Sequence, residues 1–268
     1  NGAGKTTTIK MLCCLIRPTS GSAQVMGHDV GTDPLKVKQV INVSPQETAI
    51  AEHLNAWENL ALIAGLHGIE GAQARQKAGE LLEMLGLVNR ASDKAKKLSG
   101  GMKRRLSIAM ALISDPDVLF LDEPTLGLDA QSRRAIWSHI QDLKGRKTIL
   151  HTTHYLEEAD ALADRIAIID EGRVIASGSP QELKGSISDG QTMSIEAANV
   201  TDESIAALSE VCSDVTRTGV GVDIRGDVLL YDIVDVLRPM GVVVESASRK
   251  RVTLDDVFVE LTGKELRE

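Results

Sequence analysis

The sequence predicts an α/β chain with a parallel sheet core, a mostly helical block set within it, and a small α+β module at the C-terminal end. Three observations predict it. Residues 118–121 and 148–153 are short apolar runs, as in strands covered on both faces, and 131–143 between them suits a crossover helix, which gives a β-α-β order. Residues 54 to about 115 lose β character and take up apolar spacings of three and four. Beyond a Gly- and Ser-rich stretch at 184–191, short strand and helix patterns alternate.

In chain order, residues 1–8 read Asn-Gly-Ala-Gly-Lys-Thr-Thr-Thr, a glycine loop that opens a helix. Ile9, Met11, Leu12, Leu15 and Ile16 continue it at helical spacing until Arg17-Pro18-Thr19-Ser20-Gly21 stops it. A short strand at 40–44 ends at Pro45 and Gln46. Ala78, Leu81, Leu82 and Leu85 form one buried helical stripe, and Leu106, Ala109, Met110 and Ile113 form another. The run 118–121 delivers two carboxylates, Asp122 and Glu123, at its carboxyl end, and the run 148–153 ends at His154. Residues 165–169 and 173–176, joined by Asp170-Glu171-Gly172, form an edge hairpin. Ser179-Pro180-Gln181-Glu182 is a capping box with Pro at the first helical position. The stretch 184–191 is the domain boundary, separating 1–183 from 184–268. The second part reads strand 192–197, helix 203–211, strands 215–218 and 222–225, helix 229–240, strand 242–247 and helix 255–266, a split β-α-β pattern of ferredoxin-like type with an added helix.

Composition narrows the function. With 268 residues and 43% apolar content the chain can fill a core, and disorder is excluded. A net charge of −8 lacks the basic excess that binding a phosphate backbone needs, and two each of Trp, Tyr and Phe make no stacking platform, so no nucleic acid partner is expected. Apolar runs such as Met11 to Ile16 fall far short of the ~18 to 20 residues of a membrane span. Three cysteines make no disulfide framework and fit a reducing compartment.

Gly4, Lys5 and Thr6 supply the end of a G-x-x-x-x-G-K-[ST] loop, whose N–H groups cradle phosphates while the lysine neutralises them and the hydroxyl ligates Mg²⁺. Its first glycine would lie upstream of Asn1, so a glycine turn before an ordinary helix is the competing reading. Asp122 and Glu123 at a strand end suit a metal carboxylate and a water-orienting group, although an acidic turn before Pro124 has the same look. Leu98-Ser99-Gly100-Gly101 opening a helix is a second anion site or a flexible N-cap. Other features are read as structural. Lys103, Arg104 and Arg105 are a solvated helix face, Cys13 and Cys14 small core residues of the loop helix, and His151 and His154 with Glu157 and Glu158, which could suggest a metal site, ordinary groups at a strand end beside a surface helix.

Taken together, these motifs resemble those of ABC ATPases, in order and over essentially the whole chain. More narrowly, S-G-G-M-K-R-R, the stretch 119–129, T-T-H-Y-L-E-E-A-D and the ending T-L-D-D-V-F-V-E-L-T-G-K-E-L-R-E resemble ATP-binding subunits of type-2 ABC exporters, the daunorubicin-resistance group. The resemblance implies a P-loop NTPase domain over 1–183, with its helical subdomain at about 47–115, and an accessory domain over 184–268. It implies that Asn1, Gly2, Ala3, Gly4, Lys5, Thr6 and Thr7 bind the ATP phosphates, and that Thr6, Gln46 and Asp122 hold Mg²⁺. Glu123 would polarise the attacking water, Gln46 would sense it and His154 would hold the γ-phosphate. Ser99, Gly100 and Gly101 would contact the nucleotide of a second subunit, with Asp129 linking the two sites. The implied partners are an identical ATPase subunit and a multi-span permease, which places the chain in the cytoplasm at the inner face of the membrane. A soluble ABC ATPase acting on ribosome or DNA is the alternative, and a regulatory module without hydrolysis is disfavoured by Glu123 and His154. Because the chain begins inside the loop motif, these residues alone are expected to bind ATP weakly and to fold poorly.

Overall fold

The computed structural model describes residues 2–186, 192–212, 214–226, 229–250 and 252–263. Asn1, part of the last predicted helix and most of the expected boundary stretch lie outside the described residues. The chain divides into two compact units, Asn1–Ala163 with Ile169–Val174, and Asp164–Ile168 with Ile175–Glu268, so position 184 falls inside the second.

The first unit runs α1 (Lys5–Leu12), a β1 (Gln24–Val25) and β2 (His28–Asp29) pair, α2 (Pro34–Val40), β3 (Ile41–Ser44), α3 (Ala56–Leu66), α4 (Gly71–Met84), α5 (Gly100–Leu112), β4 (Val118–Asp122), α6 (Ala130–Leu143), β5 (Thr148–Thr152) and α7 (Leu156–Leu162). Strands β3, β4 and β5 form a parallel sheet in that order, as the β-α-β pattern predicts. Alternation along β4 decides where the site lies. Val118 and Phe120 enter a core with Ile9, Val37 and Ile41 from α1, α2 and β3. Leu119 and Leu121 enter another with Leu60, Leu82, Leu106 and Ile136 from the helical block and α6. The strand is clamped from both faces, and its carboxyl end has one place to go.

Two expectations are corrected here. Helix α1 stops at Leu12, four residues early, in a Schellman motif: Cys14 takes a left-handed φ of 55°, its N–H donates to the Met11 carbonyl, and the Leu15 N–H donates to that of Lys10. No glycine marks that position, so the apolar spacing read straight through it. Cys13 joins the core and Cys14 packs half-buried against it, both beyond the last helical residue. Strand β5 is not covered on both faces, because Thr148 and Leu150 are exposed and, among the described residues, it pairs only with β4.

The hairpin of β6 (Ile166–Asp170) and β7 (Arg173–Gly178) turns through Glu171 and Gly172, both at positive φ as a type I′ turn demands. The second unit continues with α8 (Pro180–Ser186), β8 (Thr192–Ala198), α9 (Asp202–Val211), β9 (Asp214–Arg217), β10 (Gly221–Arg225), α10 (Leu230–Leu237), β11 (Val243–Lys250) and α11 (Leu254–Thr262). Its antiparallel sheet has the order β11-β8-β10-β9, with Ile195, Val222, Ile224, Leu208 and Ile233 in its core. The Ser179–Glu182 box caps α8 reciprocally, Ser179 N–H to Glu182 at 2.7 Å and Glu182 N–H to Ser179 Oγ at 3.2 Å.

Candidate active site

The glycine loop meets the end of β4. Gly4, at φ 99°, is the N-cap of α1, a conformation that a residue with a Cβ resists, and the loop behind it is held where Gly172 N–H donates to the Ala3 carbonyl at 3.1 Å. From the first turn of α1, Thr6 Oγ1 donates to Asp122 Oδ1 at 3.2 Å and Lys5 Nζ lies 3.6 Å from Glu123 Oε1. Thr7 on the same turn and Gly2 in the loop before it are exposed, and Ala3 is half-buried.

Asp122 and Glu123 are 3% and 6% exposed, and both are held by Thr152 at the end of β5. Thr152 Oγ1 donates to Asp122 Oδ1 at 2.6 Å and accepts from Glu123 N–H at 3.0 Å. Glu123 itself adopts a left-handed φ of 49°, a conformation worth about 1–3 kcal/mol of strain in a residue with a Cβ. That turn faces its carboxylate toward Lys5 and toward His154, whose Nδ1 lies 2.8 Å from Glu123 Oε2. With Nδ1–H donating to the carboxylate, Nε2 of His154 is left for another partner.

The remaining predicted residues are arranged around this cluster. Gln46 is exposed and is tied in through its backbone, its carbonyl accepting from Arg104 Nη1 at 3.2 Å. Ser99 caps α5, its Oγ accepting from Met102 N–H at 3.3 Å. Gly101 faces α6, where a Cβ would sit 2.7 Å from Ser132 Oγ, and Gly100 faces Leu128. Ser132 in turn donates through N–H and Oγ to Asp129, the N-cap of α6, and these bonds hold the Asp129 carboxyl below its usual range. The structure therefore brings Lys5, Thr6, Asp122, Glu123 and His154 together, and sets Ser99 to Gly101 against the Asp129 turn. A cleft of about 440 Å³ lies between the Gln46 loop, Gly100 and the 126–128 turn.

Two groups that the sequence reading placed at the surface are buried. Arg104 is 4% exposed, its Nη1 donating to the Pro45 and Gln46 carbonyls, Nη2 to Asp122 and Nε to Pro124. Burial lowers its pKa to about 10, with Asp122, Glu158 and Glu123 opposing the shift. Arg105 reaches the Leu85 carbonyl at 2.8 Å and Lys103 pairs with Glu52, so the basic triplet is not a solvated face. A signal for Arg104 existed, since it falls on one helical face with Gly101, Ile108 and Ala111. Glu158 is 0% exposed and accepts from Thr125 at 2.8 Å and Thr153 at 2.7 Å, joining the turn after Glu123 to the His154 turn.

Burial raises the Glu158 pKa above its ordinary 4.5, against the bonds from Thr153 and Thr125. The folded state then holds this proton more tightly than the unfolded chain does, and the stability it supplies is full below the ordinary value and drains away as pH rises through the raised one. Glu158→Gln cannot ionise. As pH rises above the ordinary 4.5 and through the raised value, its stability relative to the parent is expected to improve, read by denaturant unfolding, and parallel pH profiles would refute this.

The profile of the ABC transporter family matches residues 1–126. Over 275 residues the chain is 42% identical to the daunorubicin/doxorubicin resistance ATP-binding protein of Streptomyces peucetius, covering 98% of this chain and 82% of that one. It is 38% identical to the Nod factor export ATP-binding protein I of Burkholderia orbicola, covering 100% of this chain and 87% of the relative. Among solved structures, an ATP-binding subunit of an ABC transporter matches with a TM-score of 0.62 at 30% identity, over 69% of this chain and 78% of that one. A dimeric ATP-binding cassette in a post-hydrolysis state bound to ADP and Pi matches with a TM-score of 0.61 at 28% identity, over 66% and 81%.

Proposed function

The chain belongs to the ATP-binding subunits of the ABC transporter family, and from that premise we propose that it drives export of a drug, lipid or other amphiphile through a separate permease. The observation that carries the catalytic part is the convergence of Lys5 and His154 on the Glu123 carboxylate, 3.6 and 2.8 Å away. The names of the relatives, drug resistance and Nod factor export, support the transport part. Nothing observed favours a role on ribosome or DNA.

Both groups that meet Glu123 are of the kind that bind phosphate. When the γ-phosphate enters, Lys5 and His154 exchange the carboxylate for phosphate oxygens, and Glu123 is released to accept a proton from the attacking water. The N–H groups at the start of α1 meet the β-phosphate. Thr6 Oγ1 and Asp122 Oδ1, 3.2 Å apart, are the oxygen donors that a hard cation takes, so these two with Gln46 would hold Mg²⁺. Bound there, Mg²⁺ supplies charge neutralisation at the phosphates.

Dimerisation is part of the proposal. Ser99, Gly100 and Gly101 stand at the N-terminus of α5, where a second subunit's nucleotide would find N–H donors and the positive end of the helix dipole. Among the described residues no helix is long and apolar enough to cross a membrane, and the proposed location is the cytoplasmic face, docked on the permease. Pull-down of the full-length protein from native membranes is expected to recover a multi-span protein whose transport depends on ATP. Recovery of ribosomal or DNA-bound complexes instead would overturn the transport reading.

A further inference from the structure

We propose that Arg104 is a positioning residue for ATP hydrolysis, the joint through which the Ser99–Gly101 turn is coupled to Gln46 and Glu123 of the same chain. The proposal rests on the dimeric ATPase reading above, in which that turn touches the nucleotide of a second copy.

The acceptors single this side chain out. Arg104 stands one turn beyond Gly101 on α5, and its four hydrogen bonds go to backbone carbonyls of two loops: Pro45 and Gln46 on one side, Asp122 and Pro124 on the other. The second pair brackets Glu123, whose strained left-handed backbone needs its flanking peptides held. A planar guanidinium spreads five donors in a fixed fork and can hold both loops at once, whereas an ammonium has three donors about a single point. Arg104 faces Asp122, Glu123 and Glu158 electrostatically, but its hydrogen bonds are to carbonyls, so its geometry positions backbone. Gly101 on the preceding turn packs on Ser132, which caps through Asp129. One end of α5 thus grips three loops. A displacement of that end by nucleotide on the second copy is passed to the Gln46 loop and to the Glu123 turn together.

The test uses the full-length protein and three variants, Arg104→Gln, Arg104→Met and Arg104→Lys, each checked by thermal unfolding. Turnover is expected to fall about 10- to 10²-fold, as for misplacement of a catalytic group, while Mg-ATP affinity by calorimetry stays within about threefold. The ATP dependence of turnover is expected to be sigmoidal in the parent and hyperbolic in the variants. Arg104→Lys keeps the charge and most of the volume, so it serves if the other two do not fold, and it is expected to fail as they do. Unchanged turnover in a folded variant overturns the proposal, and so does a parallel loss of affinity and turnover, which marks a merely structural role. Full rescue by Lys, or a parent whose ATP dependence is already hyperbolic, also overturns it. A parent that does not hydrolyse ATP overturns the underlying ATPase reading, and the proposal with it.

Discussion

Replacing Glu123 by Gln is expected to lower ATP turnover by about 10²- to 10⁴-fold, the range a general base contributes, with ATP binding retained. The backbone of the variant is held as before, because the N–H of residue 123 is bonded to Thr152 through both Oγ1 at 3.0 Å and the carbonyl at 3.2 Å. The amide keeps the shape of the side chain and cannot take the proton of the attacking water. It also releases Lys5, 3.6 Å away in the parent, so the lysine meets phosphate without first leaving a carboxylate. Affinity should therefore hold or tighten, and the ATP-bound dimer should persist. Steady-state hydrolysis beside equilibrium titration of nucleotide measures both parts, and hydrolysis at the parent rate would remove Glu123 from the role.

Lys5→Met is expected to fail differently. Loss of a preorganised donor to charge that builds on the transferring phosphoryl group removes about 10²- to 10³-fold of turnover. Here affinity falls as well, by about 10- to 10²-fold, since a charge-assisted bond of about 1.5–3 kcal/mol is lost from the ground state too. The methionine keeps the aliphatic stem and the helix, so secondary structure should not change. Calorimetry separates the two variants: Glu123→Gln binds and stalls, whereas Lys5→Met binds poorly. A Lys5→Met protein with parental affinity would contradict the placement of phosphate at the start of α1.

Much of the fold was legible because its signals are local. The run 118–121 with two carboxylates at its end, the apolar stripes of α4 and α5, the capping box at Ser179 and the positive-φ hairpin turn at Gly172 each depend on residues a few positions apart. The same holds for the site. Gly4-Lys5-Thr6 and Asp122-Glu123 could be named from local motifs, His154 only through the family resemblance, and the structure brings them to one place. Thr152 could not. A threonine closing a strand looks like any other, and its role depends on lying opposite Asp122 in the parallel register of β4 and β5.

What the sequence determined by itself is which residues can do chemistry and which elements carry them, since periodicity, capping and glycine loops act within a few residues. What only the tertiary structure decided is which charges are buried and where the Glu123 carboxylate faces. Arg104 and Glu158 read as surface groups because charged side chains on helices usually are, and both became interior once loops distant in sequence, at Pro124 and at Thr125, supplied partners. Thr6 and Asp122, 116 positions apart, meet for the same reason. A buried charge is tolerable only where the fold surrounds it with bonding partners, and those partners are assembled by packing across the whole sheet.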